Sequence, residues 1–152
     1  MKRRDQIGMS EEEIAAFLAE PHTLQVATIN RDGTPHLVAM YYAVIGGRVA
    51  FWTYGKSQKV KNLERDPRLT VMAEAGKAYG ELRGVQITGR AEVSSERDTV
   101  VSVGEALYPR YFGVLDGPAK QGVEASGRKR VAVFVNPEEM VSWDHRKLGS
   151  TY

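Results

Sequence analysis

Val49-Ala50-Phe51-Trp52-Thr53-Tyr54-Gly55-Lys56-Ser57-Gln58-Lys59-Val60-Lys61-Asn62-Leu63-Glu64-Arg65-Asp66-Pro67-Arg68 passes from a strand, through a tight loop, into a short basic helix. Arg48 to Thr53 carries β-branched and aromatic residues and reads as a strand. Tyr54-Gly55-Lys56 is a loop. Ser57 takes the position of a helix N-cap, Val60 and Leu63 mark an inner face, and Asp66-Pro67 stops the helix. A helix start offers unpaired backbone N–H groups and a partial positive charge, which suit an anion. Here Lys56, Lys59 and the Ser57 hydroxyl add to it, and Lys59 and Asn62, three apart, share a face. Spacing alone leaves two roles open: a solvated basic face, as most lysine runs are, or a phosphate grip. The stretch lacks the glycine pattern of a P-loop, so it does not point to a nucleotide triphosphatase.

Working outward, Gly46-Gly47 signals a tight hairpin between this strand and one running from about His36 to Ile45. Asn30-Arg31-Asp32-Gly33 is a turn that connects back to a strand over Thr23 to Ile29, so the three strands are expected to form an antiparallel meander. Ahead of them, Ser10 and Glu13 form a capping box, Met9 and Ile14 occupy staple positions, and Ile14, Phe17 and Leu18 follow helical spacing up to Pro21. Downstream, a strand is expected from Leu69 to Glu74. Leu82 to Val93 alternates with period two: Val85, Ile87, Gly89, Ala91 and Val93 on one face, Gln86, Thr88, Arg90 and Glu92 on the other. A helix from about Ser95 presents Val100, Val103 and Leu107. The stretch from Tyr108 to Gly127 shows no clear period beyond a short helix at Lys120 to Ala125. Lys129 to Val135 is a strand that Asn136-Pro137 is expected to break, with a last short strand at Met140 to Trp143.

The chain has 152 residues, 42% hydrophobic and 26% charged, as befits one soluble domain with a single core. Some six strands with short turns imply a mainly β fold with capping helices, closed or nearly closed into a barrel, because closure removes exposed edges. The net charge of +2 is too small to indicate nucleic-acid binding. No apolar run is long enough to span a bilayer, and no apolar segment follows the basic Met1-Lys2-Arg3-Arg4 start, so a cytoplasmic location is expected. There is no cysteine, and His22, His36 and His145 lie too far apart to show metal-ligand spacing, so no metal site is expected.

Three segments together carry a resemblance. The Val49–Arg68 stretch is similar to the phosphate-binding signature of the pyridoxamine 5′-phosphate oxidase-like, FMN-binding split-barrel superfamily. Asp32-Gly33-Thr34-Pro35-His36-Leu37-Val38-Ala39-Met40-Tyr41-Tyr42 looks like its strand along the edge of the isoalloxazine ring, and Gly84–Val93 resembles its long barrel strand. The segments occur in the family's order, across roughly residues 10 to 145. The resemblance implies a split β-barrel and a homodimer with two cofactor sites at its interface. It implies that Lys59 meets the cofactor phosphate with Lys56, Ser57 and Asn62 beside it, that Thr53 faces the cofactor, and that His36, Leu37, Val38, Ala39 and Met40 run along the ring. Many relatives have proline where this chain has Ala39.

Members that oxidise pyridoxamine phosphate carry a C-terminal Arg-Leu-x-Pro motif. This chain ends Ser142-Trp143-Asp144-His145-Arg146-Lys147-Leu148-Gly149-Ser150-Thr151-Tyr152 and lacks it. The chain looks more like the short branch (FDOR-B type) that uses the 8-hydroxy-5-deazaflavin coenzyme F-420, with FMN as the alternative cofactor. The branch implies hydride transfer to a small unsaturated or quinone-like molecule; an FMN-dependent oxidoreductase of the same fold and a non-enzymatic flavin- or deazaflavin-binding carrier or sensor are the alternatives. The coenzyme's phosphodiester and carboxylate tail calls for several cations, for which Lys56, Lys59, Lys61, Lys77 and Arg83 are candidates, with Tyr79 beside them. No residue announces itself as a catalytic acid; Tyr42, Tyr79 and His36 qualify by type alone. Phe51 and Trp52 alternate faces, and core packing is expected of both.

Overall fold

The alternation between Leu82 and Val93 becomes β6 (Arg83–Ser94), the long strand around which a seven-stranded antiparallel sheet is built. The computed structural model describes residues 1–149; the final three residues of the tail quoted above lie outside them. In chain order the elements are α1 (Arg3–Ile7), α2 (Glu11–Ala19), β1 (Leu24–Ile29), β2 (Pro35–Met40), β3 (Ala43–Ile45), β4 (Arg48–Tyr54), α3 (Gln58–Arg65), β5 (Arg68–Ala75), β6, α4 (Arg97–Tyr111), α5 (Gly117–Gly127) and β7 (Arg130–Asp144). Short 3₁₀ turns occupy Tyr79–Glu81 and His145–Leu148. The spatial order is β2-β1-β5-β6-β7-β4-β3. Side chains from strands near both ends of that order enter one core: Leu24 and Val26 from β1, Val49 and Phe51 from β4, Val85 and Ile87 from β6, Val133 and Val135 from β7. The sheet is therefore curled into a half-barrel around an apolar centre.

The strand expected over His36 to Ile45 is two strands. β2 pairs with β1, and β3 pairs with β4, at opposite ends of the sheet order. Tyr41-Tyr42 carries the chain across the split. Tyr42 is fully buried, its hydroxyl 2.8 Å and 3.0 Å from the carbonyl oxygens of Leu18 and Glu20 at the end of α2. Those carbonyls are among the groups a helix end leaves unpaired. Arg110 Nη2 reaches the same two, at 3.1 Å each, so α2 is clamped from two distant segments. At its other end the capping box forms as expected between Ser10 and Glu13.

Asn136-Pro137 does not break the last strand. β7 runs unbroken to Asp144, and its register against β6 shifts between Thr88 and Gly89, leaving Glu138 as the extra residue of a bulge. The bulge absorbs the proline, which has no N–H to give the ladder. It needs Gly89, because a Cβ there would run into the Asn136 backbone. The ambiguous stretch from Tyr108 also resolves. α4 starts at Arg97 rather than Ser95 and continues through Pro109, and α5 fills Gly117–Gly127, longer than the short helix expected. The Asp116 carboxylate caps α5, accepting from Ala119 N at 2.9 Å. α4 lies on the outer face of the sheet, where Ala43, Ala50 and Ala132 give it room and Val100, Val103 and Leu107 fill it. Among the described residues, no helix is long and apolar enough to cross a membrane.

Candidate functional site

Ser57 stands at the N-cap of α3 with extended backbone angles, as its place in the sequence predicts, but its side chain makes no capping bond. The hydroxyl is buried and has no hydrogen-bond partner among the described residues. α3 turns Val60 and Leu63 inward as expected, and it turns Lys59 and Asn62 inward with them. Lys59 is only 8% exposed. Its Nζ donates to Thr53 Oγ1 at 2.8 Å, and among the described residues no carboxylate pairs with it. Burial first, and the nearby Arg130 charge second, hold its pKa below the ordinary lysine value of 10.5. A buried ammonium normally has a counter-charge. This one has a single neutral hydroxyl and two further N–H donors.

Asn62 is fully buried and its hydrogen bonds are used within the protein. Nδ2 donates to Thr28 Oγ1 and Asn30 Oδ1, both at 3.0 Å, and Oδ1 accepts from Gln58 Nε2 at 2.9 Å. Its work in this chain is to seat α3 on the end of β1. His36 stands opposite Thr28 in the β1–β2 register, and its Nδ1 is buried with no hydrogen-bond partner among the described residues. The start of α3 and the adjoining barrel end thus gather an uncompensated ammonium, an orphan hydroxyl, an orphan imidazole nitrogen and free backbone N–H groups. No acidic residue lies in the first turn of α3. This donor set fits a phosphate or phosphodiester. Lys56 and Lys61 are exposed beside it.

Along β2, Val38 and Met40 pack against the core, while Ala39 is exposed and Leu37 is 65% exposed. That leaves an open apolar strip on an edge strand. Tyr79 and Arg83 are elsewhere. Arg83 pairs with Ala75, and Ala73 lies opposite Leu24, so these residues belong to the Leu24 end of β1 and not to the Thr28 end that receives α3. Arg83 bonds Glu20 at 3.3 Å and lies over the Phe17 ring; Tyr79 packs against His145, whose Nδ1 is 2.7 Å from the Tyr79 carbonyl oxygen. Lys77 is exposed on the loop before Tyr79. Within one chain the structure brings Thr53, Ser57, Lys59 and Asn62 together, with Lys56 at the rim and His36 opposite the Thr28 that Asn62 bonds, and does not bring Tyr79 or Arg83 to them. Tyr42 is a core residue: burial pushes its phenol up to about 12, which leaves it a poor proton donor near neutrality.

Sequence reading missed a cavity of about 810 Å³ between the end of β2, β4 and the α4–α5 pair; its walls include Tyr41, Trp52, Tyr108 and Arg130. Phe51 is a core residue as expected. Trp52 packs on α4 and also forms the cavity wall, with Gly104 directly against its ring. The alternation of β4 does separate Phe51 from Trp52, but nothing in it shows what faces Trp52. Arg130 had no signal at all. It enters because β7 pairs with β4, setting Arg130 opposite Tyr54, with its guanidinium 4.3 Å from the Tyr54 ring centre and 4.9 Å from that of Trp52.

Known proteins agree with this architecture. Residues 10–144 match the family described as pyridoxamine 5′-phosphate oxidase. The chain is 31% identical over 113 residues to the F420H(2)-dependent biliverdin reductase of Mycobacterium tuberculosis (strain CDC 1551 / Oshkosh), a match that covers 72% of this chain and 77% of that protein. Among solved structures, the conserved hypothetical protein Rv2991 from Mycobacterium tuberculosis has a TM-score of 0.93 at 44% identity, covering 100% of this chain and 95% of its own. A structure described as an F420 reductase has a TM-score of 0.65 at 25% identity, covering 82% of this chain and 93% of its own. The curled antiparallel half-barrel, the helix seated on its end and the match across the strands lead to one assignment: the chain belongs to the pyridoxamine 5′-phosphate oxidase family and has its split-barrel fold.

Proposed function

We propose that this protein is an oxidoreductase that uses the deazaflavin coenzyme F-420 to transfer a hydride to a small unsaturated or quinone-like substrate. One observation carries the reading: the buried, uncompensated Lys59 ammonium beside the orphan Ser57 hydroxyl at the start of α3. The names of two relatives, an F420H(2)-dependent biliverdin reductase and an F420 reductase, favour the deazaflavin over FMN, which the same phosphate grip would accept.

In this reading Lys59, Ser57 and the first N–H groups of α3 bind the coenzyme's phosphodiester, and Lys56 meets its anionic tail at the rim. Thr53 holds Lys59 in place, and Asn62 holds the helix. The backbone from His36 to Met40 runs along the tricyclic ring. The bound coenzyme would supply the hydride, and solvent the proton, of a two-electron reduction. The chain's own part is to fix the reactants and keep competing water away. A homodimer with the coenzyme at its interface would cover the open strip of β2. It would also give Tyr79 and Arg83 a role that their own chain denies them, as contributions to the partner's site.

A fluorescence titration of purified protein tests the cofactor. Coenzyme F-420 is expected to bind far more tightly than FMN, and equal or weaker binding overturns the deazaflavin reading. Turnover of a quinone with reduced coenzyme separates an enzyme from a carrier that binds without reacting.

A further inference from the structure

The cavity under α4 and α5 has a composition of its own. Its aromatic walls are Tyr41, Trp52, Tyr108 and Phe112. The rings brace one another: Tyr41 stacks on Tyr111 at 4.1 Å with 17° between planes, and Phe112 meets Tyr41 at 5.7 Å and Tyr108 at 5.4 Å. Two charged side chains line it, Asp116 and Arg130. The Asp116 carboxylate is committed to capping α5. Arg130 donates through Nε to the Ser126 carbonyl oxygen at 3.1 Å and, among the described residues, is paired with no carboxylate. Its guanidinium stays over the Trp52 and Tyr54 rings with its outer N–H groups unassigned.

We propose that this cavity binds a flat, conjugated organic acid, with its ring system stacked among Trp52, Tyr41 and Tyr108 and its carboxylate on Arg130. Aromatic walls favour a planar ligand, through offset or edge contacts. A half-buried guanidinium without a counter-charge favours a carboxylate, which it meets with two parallel hydrogen bonds. The volume of about 810 Å³ lies in the range of small-molecule sites and accommodates several fused rings. Ala39, Met40 and Tyr41 line the cavity, and Ala39 and Met40 belong to the strand assigned to the coenzyme ring. The inference therefore rests on the proposed function for the ligand's identity as the reductase substrate, and on the cavity alone for its binding.

The test uses anthraquinone-2-carboxylate and its neutral carboxamide as probes, read by quenching of tryptophan fluorescence with no coenzyme present. The acid is expected to bind wild-type protein about tenfold more tightly than the amide, the difference one charge-assisted pair makes. Arg130→Met is expected to bring the two within about twofold of each other by removing that pair. Gly122→Leu is the second variant. Gly122 lies on the α5 wall and a Cβ added there meets nothing within 4 Å, so a leucine is expected to take up cavity space at little steric cost and with a gain in helix propensity. It is expected to weaken acid and amide alike about tenfold while leaving coenzyme F-420 binding unchanged. Equal binding of acid and amide to wild type, or undiminished binding to Gly122→Leu, overturns the proposal. So does competition between the acid and the coenzyme, which would make the cavity part of the coenzyme site. If the probe results hold and coenzyme F-420 does not bind, the proposed function fails and the cavity assignment stands.

Discussion

Lys59 Nζ and Thr53 Oγ1 are 2.8 Å apart, one at the start of a helix and the other at the end of the strand before it, and both side chains are buried. The pair bridges the loop that joins β4 to α3. It holds a positive charge inside the protein that no carboxylate among the described residues answers, an arrangement that costs stability unless something else meets the charge.

Replacing that charge should separate Lys59 from its neighbour in sequence. Lys59→Ala is expected to weaken coenzyme binding at least about tenfold, the loss of one charged hydrogen bond. Lys61→Ala, on the exposed side of the same helix, is expected to stay within about twofold, as a screened surface charge does. Isothermal titration of both variants measures this. Comparable small losses would return the helix to a solvated basic face.

The same residue sets a pH dependence. Its folded pKa lies below the unfolded value, so between the two the unfolded chain holds more protons and stability rises with pH. Lys59→Met removes that rise, which urea melts at several alkaline pH values will read. Phosphate binding needs the charged form. Coenzyme affinity should therefore fall with rising pH before an ordinary lysine would titrate, and the fall should move to higher pH in Lys59→Arg, whose charge does not titrate in this range.

Tyr42 offers a control on catalysis. Tyr42→Phe removes the hydroxyl from the two carbonyls at the end of α2 and is expected to cost about 1–3 kcal/mol in a denaturant melt. Turnover per folded molecule should not change, since the phenol is tied into the core. A large loss of turnover at unchanged stability would make it the proton donor after all.

Two glycines on the helices around the cavity should behave oppositely. A Cβ at Gly104 would strike the Trp52 ring and Val123, so Gly104→Ala is expected to destabilise by about 1–3 kcal/mol. Gly122 has open space, and Gly122→Ala is expected to be neutral or to stabilise by up to about 1 kcal/mol. Thermal melts of the pair decide whether Trp52 is held against α4 as tightly as the structure has it.

Much of this protein is local physics and is therefore legible in its sequence. The capping box at Ser10 and Glu13, the period of two through β6 and the inward face of α3 at Val60 and Leu63 depend on residues a few positions apart. So does the concentration of positive charge at Lys56 to Lys61. What needed the tertiary structure is what depends on register. The alternation from His36 to Ile45 looks the same whether the chain forms one strand or two, and only curling of the sheet sends β2 and β3 to opposite edges. Pro137 is a strand breaker until a bulge opposite Gly89 absorbs it. Asn62 belongs with Lys59 by spacing, yet its contacts with Thr28 and Asn30, 34 and 32 residues away, make it an anchor for the helix. Trp52 and Arg130 become two walls of one cavity because β4 pairs with β7, a contact made across about half of the chain that no short-range pattern encodes.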